Sequence, residues 1–339
     1  EGREELVGMV VEFGVEDFRG RMDILTSLLF TLYRQDQLLS RAHPTTYKTL
    51  YPTYFHRILT SVSHTTSSST PLDPKDRTFT RFLLEVPEIT EDCINFLRRF
   101  CDDPERMQLG LGTVRDLIKG RPASREGCLR VLEEFCLSPV KATRSTAIVI
   151  ARRFFAENKA IAVRIEGFAR GSVGRLAGEP PSGPPVSVDG EDLKLDENGE
   201  VVKAEEDSVV VDEDGEDGKK VEEGGGGGEN GEKDKADKGR EWKEEDVVRH
   251  LEVFLAVCSR KHELLVHLFT LYPAYHPSVQ RVVRSAIQPL IKIIGPRSPT
   301  LLNLFKTYPE GSESLLLRIL GVLTDRDVPS RELVDAVLE

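Results

Sequence analysis

Val279-Gln280-Arg281-Val282-Val283-Arg284-Ser285-Ala286-Ile287-Gln288-Pro289-Leu290-Ile291-Lys292-Ile293-Ile294 decides the fold class of this chain. Val279, Val282, Val283, Ala286, Ile287, Leu290, Ile291 and Ile294 follow helical spacing without a miss, in steps of three and one. Such steps gather apolar side chains on one face of a 3.6-residue helix, whereas a half-buried strand needs strict alternation. The same period continues outward. After this stretch come Leu301, Leu302 and Phe305, then Leu315, Leu316, Ile319, Leu320 and Leu323, then Leu333 to Leu338. Before it lie Leu264, Leu265 and Leu268, and Val247, Leu251, Phe254, Leu255 and Cys258.

The N-terminal half reads the same way. Leu6, Met9, Val10 and Phe13 mark a first stripe, and Phe18, Met22, Leu25, Leu28, Leu29 and Leu32 a second. Tyr47, Leu50, Tyr54, Leu59 and Val62 mark a third. A polar stretch from Ser61 to Thr70 predicts a loop. Further stripes are Phe79, Phe82 and Leu83; Ile94, Leu97, Phe100 and Cys101; Leu111, Val114, Leu117 and Ile118; Leu129, Leu132, Phe135 and Cys136; and Ala147, Ile148, Ala151, Phe154 and Phe155. Asp73-Pro74, Asp103-Pro104, Ser138-Pro139 and Ser298-Pro299 each set a capping side chain before a proline at the first helical position. The cap oxygen accepts an orphan N–H, and proline has none to leave unpaired. Roughly a dozen helices or slightly more, joined by short turns, predict an all-α fold of antiparallel pairs, an α-solenoid. No fixed period shows, so degenerate HEAT-like repeats fit better than a TPR or ankyrin array.

One region breaks the pattern. Residues 177–240 contain Pro180-Pro181-Ser182-Gly183-Pro184-Pro185 near their start and a run of five glycines, Gly224 to Gly228. Residues 179–240 hold 21 Asp/Glu against 8 Lys/Arg, a net of −13 within a chain total of −11. The remaining residues therefore carry +2, and the acidity belongs to the insert. Such composition buries too little apolar surface to offset chain entropy, so a long disordered acidic insert is expected. Leu193, Leu195, Asn198-Gly199, Val201 and Val202 form a local hairpin-like pattern, and an isolated hairpin is marginal in water. The expected organisation is a helical-repeat segment over 1–176, the acidic linker over 177–240, and a helical-repeat segment over 241–339 that continues the solenoid.

The chain has 339 residues. No apolar run approaches the roughly 18 residues of a membrane span. The start Glu1-Gly2-Arg3 lacks Met and any signal pattern, which suggests a fragment of something longer. Five cysteines without a CxxC pair suggest neither a disulfide framework nor a zinc ribbon, and point to a reducing compartment, cytosol or nucleus.

Catalytic and metal motifs fail on spacing. His262-Glu263-Leu264-Leu265-Val266-His267 places its histidines at i and i+5, about 140° apart on a helix, where a zinc protease needs i and i+4. Gly110-Leu111-Gly112 lacks the third glycine of a dinucleotide loop, since Arg115 stands there, and reads as a helix break. Asp212, Asp214, Glu216 and Glu223 suggest a calcium loop, but Asp217 occupies its glycine position. Cys93/Cys101 and Cys128/Cys136 are each eight apart, on one helical face, and read as buried apolar groups. Neither a catalytic set nor a cofactor or metal site can be assembled, so no enzyme is predicted.

A basic excess remains. Residues 98–175 carry 16 Lys/Arg against 9 Asp/Glu, a net of +7. Arg98, Arg99, Arg106, Arg115, Lys119, Arg121 and Arg125 crowd successive turns, followed by Lys141, Arg144, Arg152 and Arg153. On one solenoid face they would meet RNA phosphate or an acidic protein. Dispersed, they are an ordinary solvated helical surface.

The C-terminal third contains, in order, Ile287-Gln288-Pro289-Leu290-Ile291, Gly295, Ser298-Pro299-Thr300-Leu301-Leu302, Tyr308-Pro309-Glu310-Gly311-Ser312-Glu313, Leu323-Thr324-Asp325 and Pro329-Ser330-Arg331-Glu332-Leu333-Val334. The N-terminal half contains Phe79-Thr80-Arg81-Phe82-Leu83-Leu84-Glu85-Val86-Pro87, Thr113-Val114-Arg115-Asp116-Leu117-Ile118 and Arg121-Pro122. Together these stretches resemble the symplekin family. The resemblance is collinear from about residue 5 to the end, interrupted by the 177–240 insert. It implies a nuclear, non-enzymatic scaffold of mRNA 3′-end processing, whose fungal counterpart is a subunit of the cleavage and polyadenylation factor. The implied partners are protein subunits of that factor, including the endonuclease and its inactive partner. An RNA-binding α-solenoid using the 98–175 segment is the alternative.

Overall fold

A computed structural model describes residues 2–42, 49–69, 77–179, 242–325 and 334–335. Among them every regular element is helical. The N-terminal stretch folds into α1 (Gly2–Glu16), α2 (Met22–Ala42), α3 (Tyr51–Ser69), α4 (Thr78–Glu85), α5 (Glu91–Asp102), α6 (Met107–Gly120), α7 (Arg125–Phe135), α8 (Lys141–Glu157) and α9 (Lys159–Gly174). The C-terminal stretch adds α10 (Glu244–Cys258), α11 (Leu264–Leu271), α12 (Pro277–Ala286), α13 (Gln288–Ile294), α14 (Pro299–Lys306) and α15 (Glu313–Thr324). Through α10 most helices pack on the next and the next but one, so α5 meets α6 and α7 while α6 meets α7 and α8. That order is consistent with an α-solenoid.

The apolar stripes explain most of the core. Met22, Leu25, Leu29 and Leu32 are buried on α2, and Val279, Val282, Val283, Leu290 and Ile291 on α12 and α13. Local chemistry sets several boundaries. Thr90 caps α5 by accepting from the Cys93 N–H (3.2 Å), with Glu91 and Asp92 in the first turn. Asn158 caps α9 by accepting from Ala160 and Ile161. Both arrangements satisfy orphan donors at the positive end of the helix.

The structure departs from the sequence reading in five places. The long stripe over 279–294 is two helices: Pro289 has no N–H for the Ser285 carbonyl and its ring crowds that carbonyl, so the chain breaks at Ile287. The stripe keeps its register because Ile287 stays in the right-handed helical region. The predicted loop over 61–70 is helical to Ser69. Ser and Thr cost a helix only a few tenths of a kcal/mol each, and propagation from the buried turns at Tyr51, Phe55, Ile58 and Leu59 outweighs that.

The proline starts hold unevenly. Ser298 does precede α14, but its hydroxyl faces His262 Nδ1 (3.5 Å) and gives the helix no side-chain cap. Ser138 and Asp103 instead accept from Val140 and Glu105 within the preceding turns, and α8 and α6 begin at Lys141 and Met107. Asp73-Pro74 lies outside the described residues.

Gly110-Leu111-Gly112 is no helix break but the interior of α6. A Cβ at Gly110 would stand 2.8 Å from Cys101 Sγ and 3.1 Å from the Cys101 backbone nitrogen, so this glycine lets α5 and α6 cross in close contact. The fifth departure is α1. Leu6, Met9, Val10 and Phe13 are exposed, and Val11 and Val15 are buried with Val7 packed beside them. The glycine side of the helix faces inward: a Cβ at Gly14 would lie 2.5 Å from a Leu25 methyl. A small-residue face admits the closer approach and wins the core.

The described residues before 179 and after 241 form one compact unit. Bonds between residues far apart in sequence stitch it across the insert. Arg144 Nε lies 2.6 Å from Glu252, Lys261 Nζ 2.8 Å from Glu166, and Tyr275 donates to the Val173 carbonyl at 3.0 Å. Ser172 donates to the His250 carbonyl (2.8 Å), and the single tryptophan, Trp242, donates Nε1–H to the Gly178 carbonyl (3.2 Å). Residues 180–241 lie outside the described residues, and with them the hairpin-like and calcium-like patterns.

The two ends of the insert therefore meet at one point. Loop-closure cost grows slowly with length, so replacing residues 180–239 with a short Gly/Ser linker should leave the melting temperature within about 5 °C of the parent. A larger fall in a thermal melt would show that the insert supports the fold.

Candidate functional site

The sequence directs attention to the cations of 98–175, and the structure shows what each one holds. Arg98 pairs with Glu134 of α7 at 2.8 Å. Arg106 lies 3.3 Å from Asp103, donates to the Ser63 hydroxyl at 2.9 Å and covers the Phe100 ring. Arg115 pairs with Asp116, which Arg77 also engages. Lys119 joins Glu157 of α8 at 3.0 Å and lies against the Phe154 ring. Arg153 reaches the same Glu157 at 3.4 Å.

Three further cations serve backbone carbonyls. Arg121 donates to Leu84 and Val86 at the end of α4, and Arg125 donates to Ile118 at the end of α6. These are orphan acceptors at the negative ends of helices, where a guanidinium replaces the missing donors. Arg144 is 6% exposed. It donates to the carbonyls of Ser138 (2.7 Å) and Pro139 (3.3 Å) while pairing with Glu252. Six of the eleven cations thus bind helix to helix or close a helix end, and Arg115 and Arg153 pair within their own helices. Arg99, Lys141 and Arg152 have no side-chain hydrogen-bond or ion-pair partner among the described residues.

Two of these three open cations border clefts. Arg99 lines an open cleft of about 240 Å³ with Thr60, Ser63, Phe96, Phe100, Asp103 and Arg106. Lys141 borders a wider cleft of about 570 Å³ between the starts of α8 and α10, with Glu244, Glu245 and the Arg144–Glu252 pair. Neither is a uniformly positive groove. Exposed ion pairs of this kind are screened and contribute little individually.

The remaining motif residues are structural. His262 sits in the turn before α11, beside Ser298, while His267 lies within α11 near Phe254. They share no helical face. Cys93, Cys101, Cys128, Cys136 and Cys258 are buried free thiols. Burial pushes all five upward in pKa, Cys128 to about 11, so they stay protonated and poor as ligands or nucleophiles.

Sequence reading missed the neck of the insert. There Trp242 stacks edge-on to His250 at 5.8 Å, and His250 Nδ1 faces the Ser172 hydroxyl at 3.2 Å. One signal was available: a lone tryptophan directly after a low-complexity acidic run.

Burial, with Arg175 and Arg249 nearby, pushes the His250 imidazole down to about 4. The unfolded chain takes up that proton near pH 6.5, while the folded form refuses it until about pH 4. Stability therefore falls as pH drops from about 6.5 toward 4 and is level above that window. Thermal melts at pH 7 and 5 should show a drop in the parent that is smaller in His250→Gln. Equal drops would mean that His250 is not held neutral.

No protein-family model matches the chain, and no solved structure matches it.

Proposed function

We propose that this chain is a non-enzymatic scaffold segment of the nuclear machinery that cleaves and polyadenylates pre-mRNA. In this reading its helices are degenerate HEAT-like repeats. It bridges the endonuclease and its inactive partner subunit to other processing factors through protein contacts. The collinear resemblance to the symplekin family supplies the identity of the machinery.

One observation favours protein contacts over RNA. Most cations of the 98–175 segment already have carboxylate or carbonyl partners, as Arg144 does with Glu252, Ser138 and Pro139. An RNA-binding face needs cations free to replace counterions on phosphate. Arg99, Lys141, Arg152, Lys159 and Arg175, which lack such partners among the described residues, are a minority of the segment's sixteen cations.

The test is a pull-down from nuclear extract with the intact chain as bait, read by mass spectrometry. Recovery of the endonuclease pair is the expected outcome. Recovery of neither subunit would overturn the reading. Binding to single-stranded RNA that weakens steeply between low and physiological salt would favour the RNA alternative, since affinity falls in proportion to the phosphates contacted.

A further inference from the structure

The first helix carries two apolar faces. Val7, Val11 and Val15 face the core. Leu6, Met9, Val10 and Phe13 stand on another face and are 36–65% exposed. Their spacing of i, i+3, i+4 and i+7 makes a stripe about 100° wide, centred roughly 150° around the helix from the valines. A helix that is apolar on both sides is normally covered on both sides. Met and Phe supply the adaptable and aromatic contacts typical of recognition surfaces.

The charges around the stripe indicate its occupant. Glu5, Glu12 and Glu16 project within a sector of about 40° along one edge of it. Across Gly2–Glu16 there are four glutamates and one arginine, a net of −3. Glu12 is joined to Arg57 at 2.8 Å and Glu16 to Arg21 at 3.4 Å, yet both carboxylates remain about two-thirds exposed or more, open to a second cation. With the Arg57 and Arg21 partners counted the edge nets −1, so a second copy would bring carboxylates against carboxylates there, whereas a Lys- or Arg-flanked helix would complement the exposed oxygens.

We infer that the outer face of α1 is a docking seam for an amphipathic helix of a partner protein, one whose apolar stripe is flanked by Lys or Arg. This rests on the scaffold reading only in taking the occupant to be a protein. The seam offers the contact pattern of a short coiled-coil segment: apolar side chains interdigitate along the stripe, and opposite charges pair along its edge.

The test uses the intact chain and two synthetic helical peptides of roughly three heptads. Both carry Leu at the a and d positions, one with Lys and the other with Glu along the flanking positions. Fluorescence anisotropy should show the Lys-edged peptide binding at least about tenfold tighter than the Glu-edged one. Met9→Ser combined with Phe13→Ser should weaken that binding about tenfold or more, with an unchanged circular dichroism spectrum, because both side chains are exposed. Glu5→Lys with Glu16→Lys should reverse the ranking of the peptides. Equal binding of both peptides, binding of neither, or binding indifferent to the serine changes would overturn the assignment. So would a dimer in sedimentation that the serine variant dissolves, which would give the seam to a second copy. Failure in these assays with recovery of the endonuclease pair in the pull-down would remove the seam and leave the scaffold reading standing.

Discussion

Leu290→Asp should destabilise the helical unit by about 4 kcal/mol or more, enough to unfold its C-terminal part. Leu290 is 4% exposed. It lies on α13, which packs against α10, α12 and α15, and its flanking positions Ile287 and Ile291 are fully buried. Removing the leucine contacts alone costs about 2–5 kcal/mol, as for any buried Leu→Ala change. The carboxylate then adds its own desolvation, so it must ionise at a cost or stay protonated against neutral solvent. Leu290→Ala separates the two contributions. The aspartate variant should fall below the alanine variant at pH 7 and approach it as pH drops, because the neutral acid is cheaper to bury. Denaturant titration and limited proteolysis read both. A parent-like stability for Leu290→Asp would mean that α13 presents another face to the core.

The second large effect is at Arg144. Arg144→Ala should cost about 3 kcal/mol, although the residue came to notice only as part of a surface cluster. Removing a buried guanidinium leaves its partners unpaired, and breaking such an arrangement ordinarily costs about 3–5 kcal/mol. Here the lower end applies, because the Glu252 side chain is partly exposed and can rehydrate. The Ser138 and Pro139 carbonyls cannot be re-satisfied so easily. Glu252→Gln retains an acceptor for the guanidinium and should cost only about 1 kcal/mol. A double-mutant cycle between the two positions should show coupling, since they share one network. If Arg144→Ala were neutral in denaturant titration but weakened binding to a partner, Arg144 would belong to an interface rather than to the join between α8 and α10.

The stripe over 279–294 shows how far local pattern reaches. Spacing alone identified the buried face of α12 and α13, because burial of a helical face depends on side-chain periodicity. It did not identify the break at Ile287, although Pro289 was visible, since a proline near the middle of an apolar run permits either a kink or a stop. The structure shows the stop at Ile287, with α13 packed on α15 and α10 beyond it. Likewise the polar run after Ser61 looked like a loop from composition. The helix continues there because its first turns are anchored in the core.

What the sequence determined by itself is the all-helical character, the position of the acidic insert and most of the buried residues. These follow from period and composition, which are properties of neighbours along the chain. What only the tertiary structure decided is the use made of each charge and each apolar face. Arg144 and Arg152 are both arginines of α8, yet one is buried against Glu252 across the insert and the other is open to solvent. Val11 and Phe13 are both apolar residues of α1, and the smaller one is in the core. Those outcomes depend on groups far away in sequence and on how closely two helices approach, and neither quantity is written in local spacing.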